Sequence, residues 1–175
     1  MTKLIILGAG VKAVWAQPYW LPRKVIWYFV SDAGKIAEKY KSLMVAKGIE
    51  FEEGKHSEER ILSADEIMKS PGIPDKSSLI IQIRSKGIPV ISEIELAYRH
   101  KGNSRILGVT GSNGKNDHDL TGLPHLSSWR IGLCTGRGTS EFSIARQVAE
   151  DPKEWYIVEI SSFSTRRYPG VFDPI

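Results

Sequence analysis

Short apolar runs that stop at a turn residue recur along this chain, with helical stretches between them. Lys3–Leu7 (KLIIL) ends at Gly8, and Val25–Val30 (VIWYFV) ends at Ser31 and Asp32. An unbroken apolar run of this length, rather than an alternating one, is what a strand covered on both faces requires. From Ala33 to Lys47, Ile36, Tyr40, Leu43 and Met44 share one helical face, with charges opposite and Gly48 as the stop. The alternation continues with strands in IEFEEG and ADEIMKSPG, a helix in SSLIIQIRSKG, a strand in IPVIS and a helix in EIELAYRHK. Then come the strand Arg105–Gly111 (RILGVTG), the strand RIGLC, the helix SEFSIARQVAED and the strand WYIVEIS. Strand, turn and helix in repetition predict an α/β fold in which a parallel sheet is flanked by helices. His100–Ser104 (HKGNS) is the candidate linker, dividing the chain into 1–102 and 103–175.

Two stretches break the order. Lys12–Lys24 should be the helix after Gly10, yet it holds Pro18 and Pro22 with the bulky Trp15 and Trp20. Proline inside a helix costs about 3 kcal/mol, so a regular helix is not expected there. Asn116–Ser128 should be the helix after a glycine-rich loop, but NDHDLTGLPHLSS contains a glycine, a proline and poor helix formers.

Composition narrows the partners. A formal charge of +4 without a long Lys/Arg run suits an anionic small molecule and does not favour nucleic acid. The single cysteine, Cys134, excludes an internal disulfide and fits a reducing cytoplasm; within IGLC it reads as a strand thiol rather than a nucleophile. The apolar start, MTKLIILGAG, is too short and too soon broken by glycine for a signal peptide or a membrane span.

Four motifs carry chemistry. LGAGVKA follows a strand and fits the G-x-G-x-x-A form of a dinucleotide loop, with Asp32 at the end of the next strand; a plain tight turn is the alternative. SPGIP (Ser70–Pro74) is a rigid turn whose backbone amides could face a ligand, or a turn and nothing more. In Thr110–Lys115 (TGSNGK), successive amides can nest phosphate oxygens and Lys115 adds positive charge. VEISSF (Val158–Phe163) ends an apolar run with Glu159, a carboxylate that could reach Mg²⁺ near those phosphates. Asp117, His118, Asp119 and His125 have no standard metal-ligand spacing and read as a solvated loop.

Taken in order, ILGAG, VSDAG, KSPGIP, GIPVISEIELA, GVTGSNGK and EISSF resemble the Mur ligases of bacterial peptidoglycan synthesis, most nearly the branch that adds D-glutamate. The resemblance implies a Rossmann-like N-terminal domain over 1–102 that holds the UDP end of the substrate. It implies that 103–175 is the first part of a P-loop ATPase-like domain, with the family's C-terminal amino-acid-binding domain absent. By the same resemblance Thr110, Gly111, Ser112, Asn113, Gly114 and Lys115 hold ATP phosphates, Lys115 acting in catalysis, and Glu159 binds Mg²⁺. Gly10, Asp32 and Gly72 then line the site for UDP-N-acetylmuramoyl-L-alanine, the co-substrate is D-glutamate, and the protein is a cytoplasmic monomer.

The chain departs from the family in a patterned way. Where the family has threonines after GK, Asn116 begins NDHD; GRGT (Gly136–Thr139) stands where a GNIG turn belongs; and SSFST replaces SSFQL. Lys115–Asp119 can be encoded AAA AAC GAC CAC GAC, and deleting one A makes the same bases read Lys-Thr-Thr-Thr-Thr. Phe163–Arg167 can be encoded TTT TCA ACT CGA CGG, and deleting one T restores Phe-Gln-Leu-Asp. Skipping two bases at Val11 turns GTG AAA GCG GTG TGG GCG CAG CCA into Glu-Ser-Gly-Val-Gly-Ala-Ala, the helix start that the family places after GAG. These shifts predict a frame-shifted gene copy or a reading error. Two functions stand beside each other, a ligase of this family in origin and a non-catalytic nucleotide-binding fragment. An NAD-dependent oxidoreductase would leave TGSNGK and EISSF unexplained.

Overall fold

The computed structural model describes residues 2–8, 26–70, 72–110, 131–135, 144, 147–148 and 153–160. The chain divides into two compact units, Met1–Leu96 and Ala97–Ile175. Sequence had put the division at 102.

The first unit is a five-stranded sheet in the order β3-β2-β1-β4-β5, every pair parallel. Its strands are β1 (Thr2–Leu7), β2 (Ile26–Asp32), β3 (Glu50–Glu53), β4 (Glu66–Lys69) and β5 (Val90–Ile91). Between them run α1 (Glu38–Ala46), the single-turn α2 (Glu58–Ile61) and α3 (Ser78–Ser85); α4 (Glu93–His100) follows β5. The apolar run predicted for a doubly covered strand is found so. Leu4, Ile5, Ile6 and Leu7 of β1 are all buried, and they point alternately to the two faces.

One face of the sheet is closed by α2 and α3, whose Ile61, Leu79, Ile80 and Ile83 pack with Ile5, Leu7, Phe29 and Ile67. Right-handed crossovers place the β2–β3 connection, and hence α1, over the opposite face. The helix expected from Ala33 to Lys47 is shorter, beginning only at Glu38; within it Tyr40 and Met44 are buried and Leu43 half-buried, while Ile36, also buried, precedes it. Gly48 ends it with φ +63°. α4 starts with a serine N-cap, since Ser92 Oγ accepts the Glu95 amide at 3.1 Å.

Leu4, Ile6, Val30 and Met68, on the α1 side, are as buried as Ile5, Leu7, Phe29 and Ile67 on the other.

In the second unit β6 (Arg105–Thr110), β7 (Ile131–Thr135) and β8 (Trp155–Ile160) form a parallel sheet in the order β6-β8-β7. Tyr156 and Val158 of the central strand are buried, whereas Trp155 and Ile157 are half-exposed. The helix expected at SEFSIARQVAED lies largely outside the described residues, although Ile144, Gln147 and Val148 within it are helical. Among the described residues no helix is long and apolar enough to cross a membrane.

Candidate substrate-nucleotide site

Strand order reverses between β1 and β4, because β2 and β3 lie to one side of β1 while β4 and β5 lie to the other. The carboxyl ends of strands on either side of such a reversal diverge, leaving a crevice where α/β sheets bind ligands. Here Gly8 follows β1 and Ser70 follows β4. Gly8 has φ +89°, and a Cβ on it would stand 2.7 Å from the Ser70 Cβ. Only glycine fits, both for its backbone and for the closeness of the neighbouring strand's turn. The Gly8 amide donates to the Ser31 carbonyl at 2.9 Å and the Ser70 amide to the Leu7 carbonyl at 2.9 Å, which locks the three strand ends together.

Sequence named Gly10, Asp32 and Gly72 for this edge. Gly10 lies outside the described residues. Asp32 is the last residue of β2, half-buried, and its Oδ1 accepts the Gly34 amide at 2.7 Å, folding the chain away from the strand end. Gly72 is exposed at the tip of the Ser70–Pro74 turn. The structure therefore brings Asp32 and Gly72 to the same edge of one sheet, on strands flanking β1.

The turn is narrower in chemistry than its sequence suggested. Pro71 and Pro74 have no N–H, the Ser70 amide is bonded to Leu7, and the Ile73 amide donates to the Ser70 carbonyl at 3.1 Å. That leaves one loosely engaged donor, the Gly72 amide, 3.4 Å from Ser70 Oγ. A ligand there would meet one amide and one hydroxyl rather than a nest.

Beside Asp32 lies a polar corner that sequence reasoning missed. Buried Ser31 donates from Oγ to Glu52 Oε1 at 2.7 Å, and its Oγ also lies 2.6 Å from His56 Nδ1. The serine has one proton, and it goes to the carboxylate, so His56 must donate through Nδ1. Glu52 further accepts the Ser57 amide at 2.8 Å and the Ser57 hydroxyl at 2.5 Å. Burial by itself would raise the Glu52 pKa, but these donors outweigh it and hold the carboxyl below its ordinary value. The neighbouring Glu53 is also lowered, first by its hydrogen bond from Lys41 at 2.7 Å and then by the Ile36 amide. The order Glu–Ser–His puts the hydroxyl in the middle, so His56 is no base for Ser31 and the corner is a brace, not a nucleophile. The only sequence signal was the density of polar residues in EFEEGKHS.

In the second unit, Thr110 ends β6, with Ile160 of β8 opposite it, and Glu159 stands opposite Val109 on β6 and Thr135 on β7. Thr110 and Glu159, widely separated in sequence, thus come to neighbouring positions at the carboxyl end of one parallel sheet. Gly111, Ser112, Asn113, Gly114, Lys115, Asn116 and the Asp117–His125 group lie outside the described residues, as do GRGT and SSFST. Cys134 is a β7 residue, opposite Val158.

Residues 3–79 match the model of the MurD N-terminal domain. A UDP-N-acetylmuramoylalanine--D-glutamate ligase of Bacteroides fragilis is 43% identical over 166 residues, which cover 93% of this chain and 36% of that protein. The corresponding ligase of Cytophaga hutchinsonii is 45% identical over 165 residues, 92% of this chain and 36% of that protein. Among solved structures, a murein peptide ligase from Psychrobacter arcticus superimposes with a TM-score of 0.53 at 14% identity, over 93% of this chain and 39% of that one. A pseudomurein peptide ligase type C from Methanothermus fervidus gives 0.51 at 21%, over 94% and 34%; these two show the fold. Fold and edge define a parallel-sheet α/β protein with a ligand crevice at a strand-order reversal. The chain belongs to the Mur ligases, and its residues 3–79 to the MurD N-terminal family. It spans 36% of the length of these curated relatives.

Proposed function

We propose that this chain derives from a ligase that joins D-glutamate to UDP-N-acetylmuramoyl-L-alanine, with 1–102 as its UDP-substrate domain and 103–175 as the opening of its ATP domain. The observation that carries this reading is 43% identity, over 166 residues, to a ligase so named. The Gly8–Ser70 crevice, with Asp32 and Gly72 on its edge, supports the substrate assignment. In the second domain Thr110 through Lys115 would cradle ATP, and Lys115 would neutralise charge on the transferred phosphoryl group. Glu159 would hold Mg²⁺, which supplies further neutralisation when bound. The register that sets Glu159 beside the end of β6 fits that role. The substrate carboxylate would attack the γ-phosphorus, releasing ADP and forming an acyl phosphate. The D-glutamate amine would then displace inorganic phosphate and lose a proton as the amide forms. Cytoplasmic location, a monomeric state and the absence of a nucleic-acid partner belong to the same reading.

As written, the chain is inactive in this proposal, because Asn116 stands where a Mg²⁺-binding hydroxyl should follow Lys115. Calorimetric titration with UDP-N-acetylmuramoyl-L-alanine, ATP and NAD tests both halves. Binding of the UDP substrate, without phosphate release on adding ATP and D-glutamate, is expected. Binding of NAD alone would overturn the family function in favour of a dinucleotide enzyme. Resequencing the gene tests the frame-shift origin. Asn116 must be AAC and Ser164 TCA; an AAT or an AGC codon would make the altered phosphate loop a genuine feature.

A further inference from the structure

Lys69 is the last residue of β4, a strand whose Ile67 and Met68 are core residues, and it is itself 9% exposed. A lysine so buried must have its charge answered by partners. Its Nζ donates to the Ile73 carbonyl at 2.7 Å and approaches the Ser70 carbonyl at 3.4 Å. It also lies 3.6 Å from Asp75 Oδ1, and Asp75 is held in turn by Arg84 at 2.9 Å. These partners all belong to the turn that carries Gly72 or to the residue just after it. An aliphatic side chain would suit the burial but would leave the Ile73 carbonyl without this donor.

We infer that Lys69 is a positioning residue for ligand binding. It braces the Ser70–Pro74 turn from beneath, so that the single available amide, that of Gly72, and the Ser70 hydroxyl face the crevice beside Gly8. This rests on the reading of the crevice as the UDP-substrate site. The brace runs from the strand end to the far side of the turn, past two prolines that fix φ but donate nothing. The Ser70–Ile73 backbone bond and the lysine together then determine where Gly72 sits. Ligand affinity depends on such pre-ordering, since a loose donor must be immobilised on binding.

The test uses the whole chain, with Lys69→Met and Lys69→Arg beside the wild type. One readout is the Kd for UDP-N-acetylmuramoyl-L-alanine by calorimetry, and the other is exchange of the hydrogen-bonded Ile73 amide by NMR. Lys69→Met should weaken binding about tenfold, the equivalent of one charge-assisted hydrogen bond, and should speed exchange at Ile73. Lys69→Arg, which can still donate to the same carbonyls, should keep exchange slow and lose less affinity. Unchanged affinity in Lys69→Met overturns the inference, and so does weakened binding with unchanged exchange. If the wild type fails to bind the UDP substrate, the assignment of the crevice fails, and the exchange comparison alone decides whether Lys69 orders the turn. If Lys69→Met does not fold, Lys69→Arg carries the test, and slow exchange with retained binding supports the brace.

Discussion

The central strands of the two sheets differ in how they are covered. In the first unit β1 is buried along Leu4–Leu7 on both faces. In the second, β8 alternates: Tyr156 and Val158 are buried, Trp155 and Ile157 half-exposed, with the half-exposed Leu107 opposite Ile157 on β6. Parallel strands are ordinarily covered on both faces. The first sheet meets that condition, with α2 and α3 packed on one face and Leu4, Ile6, Val30 and Met68 buried on the other. Among the described residues of the second sheet, Ile106, Tyr156 and Val158 on one face are buried, while Leu107, Trp155 and Ile157 on the other stay half-exposed.

Paired truncations give the sharpest test. Ile5→Ala removes a fully buried side chain and should cost about 4 kcal/mol, while Ile157→Ala should cost about 1 kcal/mol. Urea unfolding followed by exchange of β1 and β8 amides reads each unit, and equal losses would break the contrast.

The switch point is next. Gly8→Ala imposes a left-handed φ on a side chain and a clash with Ser70, for a loss of about 3 kcal/mol. Gly72→Ala, with only Ser70 Oγ near at 3.8 Å and no positive φ, should leave the thermal midpoint almost unmoved. A large loss at Gly72 would mean that the turn, rather than the strand contact, sets this edge.

The smallest effects concern polar groups in the first unit. Tyr28 Oη is buried without a hydrogen-bond partner among the described residues, and burial raises its pKa. Tyr28→Phe should therefore stabilise by about 1 kcal/mol. Above the unfolded tyrosine value of about 10, the wild type loses stability because only the unfolded chain gives up that proton, and the variant should lack this limb. Glu52 and Glu53 act with the opposite sign. Their lowered pKa values contribute stability above the unfolded value of about 4.3, and this is lost as pH falls through the folded values. Glu52→Gln should flatten that acid limb in a pH series of denaturant midpoints; an unaltered limb would remove the Ser31–Glu52–His56 corner as its source.

The order of elements could be read directly from the chain, because apolar runs and helical spacing are local signals. KLIIL, IWYFV, RILGVT and WYIVEI are strands where their runs lie, and Gly48 ends its helix with φ +63°. The family was legible from its motifs, since phosphate loops and turns need particular residues at particular spacings. Helix α2 was missed because a single turn has too few residues for a period. What only tertiary structure decided was adjacency. Strand order 3-2-1-4-5 brought Gly8 against Ser70 and set Ser31 between Glu52 and His56. It also left Lys69 buried under a turn whose sequence, rich in glycine and proline, advertised donors that it does not have. Hydrogen-bond partners far apart along the chain follow from strand pairing, and no local spacing encodes which strands will pair.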